Sequence, residues 1–315
     1  MAKKIITVFG ATGAQGGGLA RSILYDKTSE FSVRAVTRDR NSDKAKELAK
    51  LGAEVVEADI DNAAAVEEAL RGAYGAYFVT FYWAHYSPEK ENAEATTFAK
   101  AARQAGLQHA IWSTLEDVRK FVPLEDNRMP TVMGNYKVPH FDGKGEADHL
   151  FVEAGVPTTF FFASFYWENF IYFGSGPKRG ADGKLALTLP IGDSKMGGIA
   201  AEDIGKCAHG VFKKGQELVN KKVGVAGEAL SGNEMAAAMS KALGETVVYN
   251  KISPEVFRGF GFPGAVELGN MFQFYDEFEK EVNGLRDPKF SKDLNPDLQT
   301  FDQWLDKNAK LIPLD

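Results

Sequence analysis

Six short runs rich in β-branched and aromatic residues alternate with longer segments of helical character, and this alternation limits the chain to few architectures. The runs are IITVF (5–9), VRAVT (33–37), EVVEA (54–58), AYFVT (76–80), HAIWS (109–113) and PTTFFF (157–162). Between them, residues 14–27, 42–51, 62–71, 88–106 and 140–155 carry apolar side chains at helical spacing with charges on the opposite face. Strand, helix, strand in repetition yields parallel neighbours joined by right-handed crossovers, with helices on both faces of one sheet. The expectation is an α/β fold built on a doubly wound parallel sheet. Regularity fades after residue 165. There the chain reads as a loop-rich stretch (GSGPKRGADGK), a helix near 200–212, a strand VGVAG, helices at 232–243 and 254–260, and a long helix at 263–281. The expected organisation is a domain over 1–155, with a later strand returning to its sheet, and a smaller, mostly helical C-terminal domain over 156–315.

The first run leads directly into FGATGAQGG (9–17). Gly10 suits the tight turn from strand to helix, Gly13 the close approach of a pyrophosphate, and Gly16 the packing of helix on strand. A helix starting near Ala14 points its amides at the anion. Spaced G-x-x-G-x-x-G, the glycines also fit an ordinary βα turn, but their place after the first of six strands favours a Rossmann-type dinucleotide cradle formed by Gly10, Ala11, Thr12, Gly13, Ala14, Gln15 and Gly16. At the end of the second strand Thr37 stands where NAD-binding versions keep an acid. Arg38 follows, with Arg40 and Lys44 nearby, and a guanidinium can grip a 2′-phosphate, so NADP(H) is the expected cofactor. The alternative is a solvated strand end, with Asp39 between the two arginines. Asp59 and Ile60 fall at the usual edge of an adenine pocket, although an acid there also suits a helix starting at Asn62.

GATGAQGG, VTRD (36–39), TFYW (80–83), HFDGKGE (140–146), YWEN (166–169), GFPGA (261–265) and FDQWL (301–305) occur in this order. Together they resemble the NmrA-like family of atypical short-chain dehydrogenases, especially its NADP(H)-sensing, redox-responsive branch. The resemblance spans nearly the whole chain and implies a nucleotide domain, a small C-terminal domain and a cleft over the nicotinamide. It further implies that Thr80, Phe81 and Tyr82 line the cofactor, that Lys144 reaches the nicotinamide ribose and that Tyr166 closes the far side.

Active short-chain dehydrogenases place Tyr and Lys four apart on one helix face, the phenol donating a proton to a carbonyl oxygen. Here the corresponding pair is His140 and Lys144. Imidazole can in principle donate, but a lysine one turn away disfavours the charged form this requires. Tyr136 lies farther upstream, and Pro139 starts the helix so as to leave Tyr136 in the preceding loop. Ser113 stands where active enzymes keep a hydroxyl for the substrate carbonyl, and equally suits a strand-end serine bonded to nearby backbone. Lys144, His140 and Ser113 are therefore the candidate catalytic residues. Two functions survive: a sensor of the NADPH/NADP ratio read by a regulatory protein partner, and an NADPH-dependent reductase of a small apolar acceptor such as a quinone or enone. The missing phenol favours the sensor and leaves the status as an enzyme open.

Other classes receive no support. A net charge of −6 without a basic patch argues against direct nucleic-acid or membrane binding. Histidines 85, 109, 140, 149 and 209 lack metal-ligand spacing, and Cys207 is the single cysteine, more fitting as a small buried residue than as a reactive thiol. MAKKIITVFG is too short in its apolar run for a signal peptide, and no 18-residue apolar stretch occurs, so a cytoplasmic protein, monomer or dimer, is expected. The aromatic run FFFASFYWENF (160–170) suits either a cleft wall or core packing, and residues 115–139 are polar and long enough for a mobile lid.

Overall fold

The computed structural model describes residues 2–314. The chain divides into two compact units. The first holds residues up to Asp117 together with His140–Phe162 and Glu202–Val223; the second holds Val118–Pro139, Ala163–Ala201 and the chain from Gly224 onward.

In the first unit β1 (Lys4–Val8), α1 (Ala14–Tyr25), β2 (Phe31–Thr37), α2 (Asp43–Lys50), β3 (Glu54–Glu57), α3 (Ala63–Leu70), β4 (Gly75–Phe78), α4 (Pro88–Ala105), β5 (His109–Thr114), α5 (Pro139–Glu153) and β6 (Thr158–Phe162) follow one another as the alternation predicts. Each of the six strands pairs in parallel with its neighbours in the order β6, β5, β4, β1, β2, β3, and Lys222–Gly224 adds a seventh beside β6. The strand order reverses between β1 and β4, which opens a crevice at their carboxyl ends. Local chemistry fixes the helix ends: Ser42, Asn62 and Ser87 accept backbone N–H groups from the first turns of α2, α3 and α4, and left-handed Gly106 closes α4. One side of the sheet is sealed by Phe9, Phe78 and Phe98, whose ring centroids lie 4.7–5.4 Å apart. Helix Ala201–Lys214 buries Cys207, whose thiol burial pushes well above its ordinary range.

The second unit carries more strand than expected. One three-stranded sheet orders Glu228–Leu230, Met196–Ile199 and Phe165–Tyr166; another orders Val247–Lys251, Leu185–Leu189 and Lys178–Arg179. Helices Gly232–Leu243, Pro254–Arg258, Ala265–Glu277, Glu279–Leu285, Pro288–Leu294 and Phe301–Asn308 account for its helical character. The helix expected over 263–281 breaks at Phe278, where φ reaches −118°. Trp167, Phe301 and Trp304 form an aromatic centre, with the last two rings stacked 5.9 Å apart.

Beyond residue 155 the chain returns to the first sheet, and part of the segment before α5 leaves it. Residues 158–162 and 222–223 stay with the first unit because they pair into its sheet, and residues 118–139 belong to the second. Nor is that last segment built as a loose lid. Val118, Val122, Met129 and Val138 are fully buried, and the Lys137 ammonium donates to the carbonyls of Leu124, Asp126 and Met129 at 3.2, 2.8 and 2.7 Å. Asn270 ties the same segment down through Pro130 O (2.9 Å) and Lys137 O (2.6 Å).

Candidate dinucleotide site

The glycine turn occupies the crevice at the end of β1. Gly10 takes φ = +65°, and the amide of Gly13 returns to its carbonyl at 2.9 Å. A Cβ on Gly16 would lie 2.5 Å from the Gly10 oxygen, so helix and turn approach this closely only without a side chain there. Extended Gly13 heads α1, no side chain caps the helix, and no acid stands in its first turn. α2, α3 and α4 are entered through Ser42, Asn62 and Ser87, whereas α1 presents its amides behind exposed Gly10, Gly13 and Ala14. An anion fits such an end by both hydrogen bonding and the helix dipole. Ala11 donates to Val36 O at 3.4 Å, and half-buried Thr12 completes the turn.

Gln15 points into the fold. Its Oε1 accepts from the Tyr77 hydroxyl and, at 2.8 Å, from Ser113 Oγ. Ser113, at the end of β5, thus commits its proton to Gln15 rather than to backbone.

Past β2, the Thr37 hydroxyl accepts the Asp39 amide at 3.2 Å, and the Asp39 carboxylate is taken by the Asn41 amide at 2.8 Å. Arg38 is exposed and makes no salt bridge among the described residues. Asp59 uses a carboxylate oxygen on the Asp61 amide at 3.0 Å, while the cap of α3 is Asn62; Ile60 is half-buried beside it.

After β4 the chain presents buried Thr80, Phe81 at 60% exposure, and buried Tyr82 opening a short turn over 82–84. The His140 ring lies among aromatics, 4.8 Å from Trp83, 5.8 Å from Tyr82 and 4.7 Å from Phe141. α5 begins at Pro139, and Tyr136 sits ahead of it in a bridge with Val132. Tyr166 lies in the second unit, half-buried in strand Phe165–Tyr166.

Lys144 is held by a partner that the sequence reading missed. Gly143 and Gly145 flank it: a Cβ at 143 would meet Pro88 at 3.0 Å, and one at 145 would meet the Asp117 amide at 2.4 Å. Without those side chains α5 settles against both neighbours and buries the lysine, whose ammonium reaches Thr80 Oγ1 (2.5 Å), Thr80 O (3.3 Å) and Glu91 Oε1 (3.0 Å). The Thr80 hydroxyl itself donates to Glu91 Oε1 at 2.6 Å. One turn along α4, burial first and the charge of Glu91 second push the Glu94 carboxyl up to about 7. His85 lies 3.9 Å from that carboxyl, and burial lowers its pKa. The available signal was the spacing of Glu91 and Glu94 on the same helix face as Ala95 and Phe98.

A doubly wound sheet with an uncapped helix N-terminus behind a glycine turn at its switch point defines a protein of the dinucleotide-binding class. The NmrA-like family pattern matches residues 2–305, and the chain belongs to that family. It is 30% identical over 79% of its length to the NmrA-like family domain-containing oxidoreductase malD of Malbranchea aurantiaca, covering 76% of that protein. With oxidoreductase cpsB of Aspergillus campestris it shares 28% identity over 86% of its own length and 82% of the relative's. Its fold matches the negative transcriptional regulator NmrA, solved in complex with NADP, at a TM-score of 0.80, with 23% identity and coverage of 99% and 97% of the two chains. The triphenylmethane reductase of Citrobacter sp., solved with NADP(H), matches at 0.73 with 20% identity over 97% of this chain and all of that one.

Proposed function

We propose that this chain binds NADP(H) and reports the NADPH/NADP ratio to a regulatory protein partner. The observation that carries the reading is the start of α1, uncapped and free of acids, behind a turn that only glycine can bring so close. In this reading the α1 amides hold the diphosphate and Arg38 grips the 2′-phosphate, its neighbour Asp39 being engaged in its own turn. Thr37, Asp59 and Ile60 border the adenosine, and Thr80, Phe81 and Tyr82 the nicotinamide half. Lys144 meets the nicotinamide ribose.

Sensing requires that the oxidised and reduced cofactors favour different conformations by a definite free energy. Support for a sensor comes from His140, which replaces the proton-donating phenol and is packed against Trp83 and Phe141. A negative net charge makes a protein the natural reader of that state, rather than nucleic acid.

A second reading, reduction of a small apolar acceptor, is favoured by the exposed Phe81 beside Thr80 and by the oxidoreductase names of the relatives. The cofactor supplies a hydride in such a reaction, and this chain's residues would position the acceptor and exclude water. Calorimetric titration with NADPH, NADP and NADH tests binding. NADPH consumption against a panel of quinones, enones and dyes separates the readings: tight binding without turnover supports the sensor, and turnover lost in Lys144→Ala supports the reductase.

A further inference from the structure

The acids of α4 that face Lys144 carry more buried polarity than helix packing needs. Glu91 is fully buried, and among the described residues Glu91 Oε2, Glu94 Oε2 and His85 Nε2 have no hydrogen-bond partner. A buried ion pair of this kind costs solvation on both sides and is weak evidence for stability alone. Its geometry is specific: three acceptors meet the three protons of one ammonium, and Thr80 links both partners. We propose that Glu91 is a positioning residue for Lys144, holding the ammonium charged and fixed against Thr80 at the end of β4 for contact with the nicotinamide ribose.

This inference rests on the cofactor reading above and adds a residue to it. Charge near the lysine comes from Lys90, Glu91 and Glu94 on α4, His85 after β4, Asp61 ahead of α3, and Asp142 and Asp148 on α5 itself. Of these groups only Glu91 is in ion-pair contact with Lys144. Glu94 keeps its proton up to about neutral pH.

The test uses the full chain and two variants. In Glu91→Gln the ammonium loses its counter-charge, so Lys144 sheds its proton more readily and reacts with acetic anhydride at pH 7.5 roughly tenfold faster or more, read by mass spectrometry without cofactor. NADPH affinity of that variant, followed by nucleotide fluorescence, weakens as pH rises from 6.5 to 9, whereas the unsubstituted protein keeps a flatter profile. Glu91→Asp retains the charge but withdraws it by one methylene: acylation stays slow, and NADPH affinity falls about tenfold through loss of aim. Should Glu91→Gln not fold, Glu91→Asp alone decides. Unchanged acylation in a folded Glu91→Gln, or unchanged affinity in Glu91→Asp, overturns the proposal while leaving the cofactor reading intact. Failure of the unsubstituted protein to bind NADPH overturns both, and is told apart because the acylation experiment needs no nucleotide.

Discussion

Arg38 and Arg34 lie four residues apart in one strand and its exit, yet their surroundings differ. Arg34 is buried, paired with Glu54 at 2.9 Å and donating to the carbonyls of Ala69 and Arg71, so it ties sheet to helix. Arg38 is exposed with no acidic partner among the described residues. Removing Arg38 should therefore leave folding untouched and change only nucleotide choice. Arg38→Ala is expected to weaken NADPH binding about 10- to 100-fold, the worth of charge-assisted hydrogen bonds of ~1.5–3 kcal/mol, and to leave NADH binding unchanged. Parallel calorimetric titrations with the two nucleotides check this; equal losses for both would remove Arg38 from the phosphate contact. Arg38 and Lys144 are candidates in the sequence because one follows a strand and the other lies within a motif. Glu91 was not visible, because an acid on an amphipathic helix reads as a solvated side chain until the fold brings Gly143 against Pro88 and closes α5 over it.

Among the elements, α1 carries the sharpest demand on its sequence. Gly16→Ala places a methyl 2.5 Å from the Gly10 carbonyl oxygen, and the first helical turn must withdraw from the strand end. The expected cost is ~1–3 kcal/mol of stability from overpacking, together with loss of nucleotide binding as the amides leave their places. Denaturant midpoints and NADPH titration measure the two effects; a variant that binds normally would show that the turn yields without harm. The six strands of the first unit were legible because long periodic segments separate them and the runs are rich in β-branched and aromatic residues. The strands of the second unit were not. Met196–Ile199 reads MGGI, where glycine is required because a Cβ on Gly198 would fall 2.2 Å from the Trp167 indole nitrogen, a reason visible only in three dimensions. Val247–Lys251 ends in exposed Asn and Lys and gives no two-residue alternation.

For the molecule as a whole, two buried histidines couple folding to pH. His109 donates from Nε2 to Thr159 Oγ1 at 2.8 Å, since that hydroxyl spends its own proton on Leu218 O at 2.7 Å; Nδ1 is left bare and buried. Burial lowers the pKa of His109, and also that of His209, to about 4 from the ordinary 6.5. Between these values the unfolded chain binds protons that the folded one refuses, so this stability is complete above pH 6.5 and drains away as pH falls toward 4. The loss is on the order of 3 kcal/mol for His109 at full expression. Glu94 acts in the opposite sense from about 4.5 to 7, because the folded state keeps its proton. The difference between the unsubstituted protein and His109→Gln isolates the histidine: urea unfolding at several pH values between 4.5 and 7.5 should show a shallower dependence in the variant. Identical slopes would mean that His109 charges freely inside the fold.

Within residues 118–139, the Lys137 ammonium donates to three main-chain oxygens, an arrangement akin to a cation among the oxygens of a crown ether. A stretch that composition marks as a flexible connector is thereby tied together through a buried ammonium. Trypsin, which cuts after exposed basic residues, should leave the bond beyond Lys137 intact until the second unit opens, and Lys137→Met should expose this stretch to proteases that spare the sheet of the first unit.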